Sequence, residues 1–136
     1  INDYFLKNEA KKSKFIPLNK NLNKDDNFKF PLDVCLLGIG NDGHFASLFP
    51  NMINNTNMLD PKSKSSIDEV KANGNPFVPR ISMNLPLILS SNLIILLIKG
   101  KLKQEVLREA YNNKNIPLYY LLKHRINNFH IELLND

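Results

Sequence analysis

The sequence predicts an α/β fold with a doubly wound, mostly parallel sheet and flanking helices. Two short apolar runs, Val34–Leu37 and Leu93–Ile98, lack polar alternation, which is typical of strands buried on both faces. Apolar residues at helical spacing follow the second run from Lys101 to about Asn112. Strands that alternate with helices favour parallel pairing through crossover connections.

Length and composition indicate a single domain over residues 1–136. The chain has 136 residues, of which 43% are hydrophobic and 23% charged, as in ordinary globular proteins with one core. No apolar run approaches the roughly 20 residues that span a bilayer, and the first residues lack a secretory-signal pattern. Cys35 is the only cysteine, so no internal disulfide can form. These features predict a cytoplasmic protein with no membrane partner.

The net charge of +5 makes nucleic acid a partner to consider. The lysines, however, are scattered in small clusters around Lys11, Lys62 and Lys101, with no basic stripe interleaved with aromatic residues. We therefore predict a solvated lysine-rich surface and no nucleic-acid partner. The positive charge would also attract an anionic substrate at low ionic strength.

The segment before the first apolar run gives weaker signals. A helix is predicted over Tyr4–Lys12, where a partial apolar stripe follows possible capping residues. Phe15–Leu18 is predicted to be a short strand. Residues 19–27 are polar and are predicted to form a loop.

Shorter elements are predicted between and after the two core strands. Residues 51–66 are rich in Asn, Ser and Lys and should form a surface loop. The remaining predictions are a strand over Ile67–Lys71, an extended segment over Arg80–Asn84, a short helix over Pro86–Ser90, a helix from Pro117 to Leu122 and a last strand over Asn127–Leu133.

A glycine-rich turn follows the first apolar run and contains Gly38, Gly40 and Gly43. Apolar spacing from Phe45 predicts a short helix directly behind it, ended by Pro50. A strand, a glycine turn and a helix N-terminus make a corner where backbone N–H groups point at anions and substrates. The sequence therefore predicts an active-site loop here.

The spacing of the three glycines also matches the dinucleotide-binding fingerprint. That fingerprint requires a second strand that ends in an acidic residue about 20 positions later, where it holds the ribose. Asp60 has about the right distance but lies in a polar, Asn-rich stretch without strand character. Dinucleotide binding is therefore disfavoured.

His44 is the histidine with a catalytic context, because it lies in this turn beside Asp42. An imidazole changes charge near neutral pH, which suits a general base that activates water. Asp42 either orients the ring or the substrate, or it only caps the following helix. No closely spaced set of His, Asp and Glu predicts a metal site, and no G-x-S-x-G motif predicts a serine nucleophile.

The motif as a whole, G-I-G-N-D-G-H-F-A-S-L-F-P, closely resembles the signature of the 6-phosphogluconolactonase family. Glucosamine-6-phosphate deaminases and related isomerases share the first half but typically continue towards N-E-P. The resemblance implies a Rossmann-like fold and hydrolysis of 6-phosphogluconolactone to 6-phosphogluconate without a cofactor. The oligomeric state stays open, with a monomer favoured. The first segment resembles the middle of a family member, so we expect this chain to correspond to its C-terminal part.

The same resemblance implies roles for residues outside the turn. Arg80 lies in a stretch similar to the family's P-x-R-[IV]-[ST] motif, and Lys103 matches its G-x-x-K position. These matches imply that Arg80 and Lys103 bind the substrate's phosphate, alongside Gly38, Gly40 and Gly43. By residue type alone, both cations could equally be solvated surface charges.

Two other functions stay open at this stage. One is a sugar-phosphate isomerase or amino-sugar-phosphate deaminase of the same fold. The other is a non-catalytic module that binds anions or nucleic acid through the basic surface.

Overall fold

The computed structural model of the protein describes residues 4–22, 28–125 and 127–134. Short 3-10 helices lie over Asn8–Lys12 and Pro50–Met52. The regular elements in chain order are β1 (Val34–Gly38), α1 (Thr56–Leu59), β2 (Ile67–Asn73), β3 (Val78–Met83), α2 (Leu85–Leu89), β4 (Leu93–Lys99), α3 (Lys101–Ala110), α4 (Pro117–Lys123) and β5 (Phe129–Leu134).

The main sheet is parallel and has the strand order β1-β4-β5. Leu36 lies opposite Ile95, which in turn lies opposite His130. Helices α3 and α4 connect β4 to β5, as a parallel pair requires. The prediction of an α/β fold with a parallel sheet and helices is confirmed.

One face of this sheet forms the core. The inward side chains include Cys35 and Leu37 on β1 and Ile94, Leu96 and Ile98 on β4. They pack in one cluster with buried side chains of α2, α3 and α4 and with the loop after β1. Burial of this apolar area is the main stabilising contribution to the fold.

The other face of the sheet is only partly covered. Val34 is 52% exposed and Leu36 is 61% exposed, and burial along both β1 and β4 alternates. The prediction that these strands are buried on both faces is therefore wrong for the part of the chain described. The apolar runs continue through residues whose side chains point away from the helices, because the strand period is two.

The strands β2 and β3 form a separate antiparallel hairpin. Val70 lies opposite Arg80, and the strands join through a turn over residues 74–77, where Gly74 has φ +68°. The predictions of a strand over Ile67–Lys71 and an extended segment beginning at Arg80 are confirmed. The predicted irregular loop over 51–66 instead contains the second 3-10 helix and α1.

The first segment differs most from its prediction. The helix predicted over Tyr4–Lys12 is reduced to the 3-10 helix over Asn8–Lys12, because Tyr4 and Phe5 stay exposed and no packing stabilises a longer helix. The strand predicted over Phe15–Leu18 has no regular structure. Ile16 instead packs against a small second cluster that contains Leu22, Ile67 and Leu87. The end of the predicted loop, residues 23–27, lies outside the described part of the chain.

The C-terminal predictions agree closely with the structure. Helix α3 begins at Lys101, α2 and α4 lie where short helices were predicted, and β5 is the predicted last strand. Each of these segments has an apolar stripe or alternation that the core can bury, which is why its pattern was informative.

Candidate active site

The loop that follows β1 is a series of tight turns. Ile39 pairs with Phe45, and Phe45 pairs with Leu48, as isolated antiparallel bridges. The amide of Gly40 donates to the carbonyl of His44 at 2.8 Å, and the amide of Gly43 donates to the carbonyl of Gly40 at 3.0 Å. These bonds fold the chain back on itself immediately after the strand.

The helix predicted from Phe45 is wrong. Ala46 has φ 48°, in the left-handed region, which is incompatible with a right-handed helix. The apolar spacing of Phe45, Leu48 and Phe49 arises because all three side chains of this turn enter the core. Pro50 begins the 3-10 helix instead of ending an earlier one. The predicted helix N-terminus is therefore not present at this corner.

His44 and Asp42 form a close pair. Oδ1 of Asp42 lies 2.5 Å from Nδ1 of His44 and also accepts the backbone N–H of His44 at 3.2 Å. The side chain of His44 is 31% exposed. A carboxylate at Nδ1 favours the tautomer that carries its proton there, so Nε2 is the nitrogen left to accept a proton.

Steric contacts explain why two of the three glycine positions of the motif require glycine. A Cβ on Gly40 would overlap Cε1 and Nδ1 of His44, so the imidazole lies directly against this glycine's backbone. Gly43 has φ +77°, and a Cβ there would overlap the side chain of Ile116, which precedes α4. A Cβ on Gly38 would meet no atom within 4 Å, and the described residues give no packing reason for glycine there.

Arg80 lies behind His44 with Phe49 between them. The ring centroids of His44 and Phe49 are 4.6 Å apart, and Cζ of Arg80 lies 5.3 Å from the Phe49 centroid. The guanidinium donates to three carbonyls of the β2–β3 turn, those of Asn73, Pro76 and Val78. Arg80 therefore has a structural role in closing the hairpin.

Lys103 lies in the first turn of α3. It lines a cavity of about 290 Å³ together with Asn41, Gly100 and two further lysines, Lys99 and Lys101. No side chain among the described residues caps the N-terminus of α3. The cavity is consequently positive, and the free N–H groups of the first helical turn add to this potential.

The sequence patterns missed the roles of two residues, Phe49 at the site and Asn84 outside it. Phe49 was interpreted only as a helix residue, although its ring contacts both His44 and the Arg80 guanidinium. Asn84 is fully buried, and its side chain bonds to the 57–66 segment and to α2. For Asn84 a signal existed, because Asn two residues before Pro86 fits a helix N-cap.

Two kinds of feature are absent among the described residues. No group of three His, Cys, Asp or Glu side chains there lies close enough to hold a metal ion. Within the same residues, no helix is long and apolar enough to cross a membrane.

Comparison with known proteins identifies the family. The sequence profile of the family described as glucosamine-6-phosphate isomerases/6-phosphogluconolactonase matches residues 7–130. The chain belongs to this family.

Relatives within the family include two curated bacterial 6-phosphogluconolactonases. The protein of Caulobacter vibrioides is 34% identical over 134 residues, which is 90% of this chain and 57% of the relative. That of Mesorhizobium japonicum is 36% identical over 110 residues, 73% of this chain and 46% of the relative. The chain therefore spans about half the length of the curated relatives it matches.

A solved structure of a 6-phosphogluconolactonase from Shewanella baltica shares the fold. The two structures match with a TM-score of 0.67 and a sequence identity of 23%. The match covers 98% of this chain and 61% of the Shewanella chain. The fold of the family is thus present across the described part of this protein.

Proposed function

We propose that the protein hydrolyses the lactone ring of 6-phosphogluconolactone, with His44 as general base. The observation that carries the proposal is the 2.5 Å contact between Nδ1 of His44 and Asp42, in a chain that belongs to a family containing 6-phosphogluconolactonases. Both curated relatives named above are 6-phosphogluconolactonases, which favours lactone hydrolysis over the isomerase chemistry of the same family.

The reaction begins when Nε2 of His44 takes a proton from water. The water oxygen attacks the lactone carbonyl carbon, and the bond between that carbon and the ring oxygen then breaks. The proton on Nε2 passes to the departing ring oxygen, which becomes a hydroxyl. The second proton of the water stays on the new carboxylic acid, which releases it to solvent and becomes a carboxylate. Asp42 stabilises the imidazolium that forms between these steps.

The phosphate is proposed to bind at the positive cavity beside Lys103. This cavity is lined by Asn41, the residue before Asp42, so a ligand there is adjacent to the catalytic pair along the chain. Lysine supplies a mobile charge for phosphate, and the N-terminus of α3 supplies N–H donors. Binding energy at the phosphate would position the carbonyl over His44.

Direct contact with the phosphate is less strongly supported for Arg80 than for Lys103. A guanidinium has five N–H donors, and three of them are used by the carbonyls of Asn73, Pro76 and Val78. The two remaining donors would be enough for one bidentate contact, and phosphate binding by Arg80 stays a prediction. That Gly38, Gly40 and Gly43 bind the substrate stays a prediction, since the amides of Gly40 and Gly43 already donate to the carbonyls of His44 and Gly40.

The test is lactone hydrolysis at neutral pH, measured above the spontaneous rate. It uses this chain alone and this chain placed behind the N-terminal part of the Caulobacter relative. We expect His44→Gln to lower kcat by roughly 10²- to 10⁴-fold. The matched control is His124→Gln, because His124 is exposed at the end of α4. Equal rates in His44→Gln and the parent protein would refute the mechanism.

The same samples separate the alternatives. Release of ammonia from an amino-sugar phosphate, without lactone turnover, would indicate the deaminase branch of the family. Steeply salt-dependent binding to DNA or RNA, with no turnover of either substrate, would indicate a binding module.

A further inference from the structure

Phe49 has an unusual set of neighbours for a core residue. It is 2% exposed, yet its ring lies against the imidazole of His44, with an interplanar angle of 37°. The Arg80 guanidinium lies within 5.3 Å of the ring centroid. A Cβ placed on Gly74 would come within 2.9 Å of Cε1 of the ring, which is closer than side-chain carbons normally approach. The ring is therefore held between the glycine loop and the hairpin turn.

The contact to Asp42 alone does not fix the orientation of the imidazole. One hydrogen bond at Nδ1 leaves the ring able to swing about the line between the two atoms, and the side chain is partly exposed. The Gly40 backbone lies against the ring atoms Cε1 and Nδ1, and Phe49 provides an aromatic contact surface. These two contacts restrict the movement that the hydrogen bond leaves to the ring.

The hairpin supplies the support behind Phe49. The turn between β2 and β3 is closed by the three carbonyl bonds of Arg80 and by a bond of 2.7 Å from the Gly74 amide to Oδ1 of Asn73. Nδ2 of Asn73 in turn donates to Oδ1 of Asn51, two residues beyond Phe49, at 2.8 Å. These hydrogen bonds therefore hold the hairpin turn against the segment that contains Phe49.

We propose that Phe49 is a positioning residue that sets the orientation of the His44 imidazole, and that the β2–β3 turn acts on the base through it. For its catalytic consequence this rests on the proposed function, in which His44 is the base. The geometric claim itself can be measured without turnover. A shift of about 1 Å in a base can cost roughly 100-fold in rate, so the effect should be large.

The experiment compares Phe49→Leu with the parent protein by NMR of the histidine rings and by lactone hydrolysis. Loss of the aromatic ring moves the proton signals of His44 whatever its orientation, because the ring-current shift is lost. The readout is therefore the share of the Nδ1–H tautomer, taken from the ¹⁵N shifts of the imidazole, and we expect this share to fall. The signals of His124 and His130, which are both exposed, should stay in place. We expect kcat to fall roughly 10- to 100-fold. The kinetic readout is kcat and not KM, because Phe49 also contacts Arg80, which is proposed to bind the phosphate.

Two further variants keep the test decisive if Phe49→Leu folds poorly. Phe49→Met conserves volume, and Gly74→Ala presses on the ring from the hairpin turn without touching His44. Phe129→Leu is the matched control, since Phe129 packs against the same core from β5. It should lower stability while leaving the His44 signals unchanged.

The outcomes separate the two ideas. If the tautomer share of His44 is unchanged in Phe49→Leu and Gly74→Ala, the positioning role is refuted, whatever the activity. If that share falls but the parent protein hydrolyses no lactone, the proposed function fails and the positioning role stands. A lower share of the Nδ1–H tautomer together with the fall in kcat supports both.

Discussion

Replacement of Asn84 is expected to be among the most damaging changes outside the site. Its amide makes four hydrogen bonds: Nδ2 donates to the carbonyls of Asn57 and Lys64 at 2.9 and 2.8 Å, and Oδ1 accepts the amides of Ser66 and Leu87 at 3.0 and 3.1 Å. The bond to Leu87 is the N-cap of α2. One buried side chain therefore joins α1, the segment before β2 and the start of α2.

The expected cost of Asn84→Ala is about 3 kcal/mol in the free energy of unfolding. Loss of an N-cap costs about 1 kcal/mol, and each of the other three bonds contributes about 1 kcal/mol. Asn57 and Lys64 are exposed residues, so water can replace part of what their carbonyls lose. The expected loss of stability is therefore smaller than the roughly 4 kcal/mol that four bonds of about 1 kcal/mol each would give.

The variant Asn84→Asp tests whether stability depends only on the N-cap bond of Asn84 or on all four of its hydrogen bonds. Aspartate is as good an N-cap as asparagine, so this variant would be tolerated if only the cap mattered. A buried carboxylate has no donors and would face two carbonyls, so we expect Asn84→Asp to be at least as destabilising as Asn84→Ala.

The assay is urea unfolding followed by circular dichroism. Asn112→Ala is the control, because Asn112 is exposed and its side chain bonds to none of the described residues. It should change stability by less than about 0.5 kcal/mol. A similarly small change in Asn84→Ala, or parent-like stability in Asn84→Asp, would refute the reasoning.

Two other predictions concern the strand and the turn at the site. Ala46→Gly should raise the free energy of unfolding by about 0.5–1 kcal/mol. Glycine removes the steric cost of the left-handed conformation at this position, and the greater chain entropy of glycine in the unfolded state offsets only part of that stabilisation. Lower stability of Ala46→Gly in urea unfolding would contradict this. Burial raises the pKa of the Cys35 thiol, with the Ser91 hydroxyl acting in the opposite direction. A thiol reagent at pH 8 should therefore modify folded Cys35 far more slowly than the urea-unfolded chain, and equal rates would show that the thiol is accessible. Because the folded pKa is raised, the contribution of Cys35 to stability is present below the unfolded pKa of about 8.5 and is lost as the pH rises above it, a decline that Cys35→Ala should lack.

The sequence predicted the parallel sheet well because its strands and helices carry strong apolar periods. Leu93–Ile98 and the stripe of α3 are long enough to be unambiguous, and both match the structure. The candidate active-site loop was predicted from glycines and a histidine, whose proximity within a few residues is a local property. Its conformation was not predictable, because the spacing of Phe45, Leu48 and Phe49 is the same in a helix and in a compact turn that buries all three.

The sequence patterns did not predict contacts between segments that are far apart in the chain. Arg80 was singled out by its motif, but its bonds to Asn73 and Pro76 depend on the antiparallel pairing of β2 and β3. Phe49 meets Arg80 only because that hairpin folds over the glycine loop. The apolar character of Val34 and Leu36 likewise indicated burial on a face that the described helices do not cover.

The order of the strands has a consequence for how the chain folds. Val34 on β1 pairs with Leu93 on β4, about 60 residues away, so the central pairing closes a long loop and is entropically slow to form. The β2–β3 hairpin needs only a short turn and can form within microseconds. Since Arg80 and Phe49 join that hairpin to the glycine loop, we expect the hairpin to be in place before β1 docks, and the geometry of His44 to be among the last features acquired during folding.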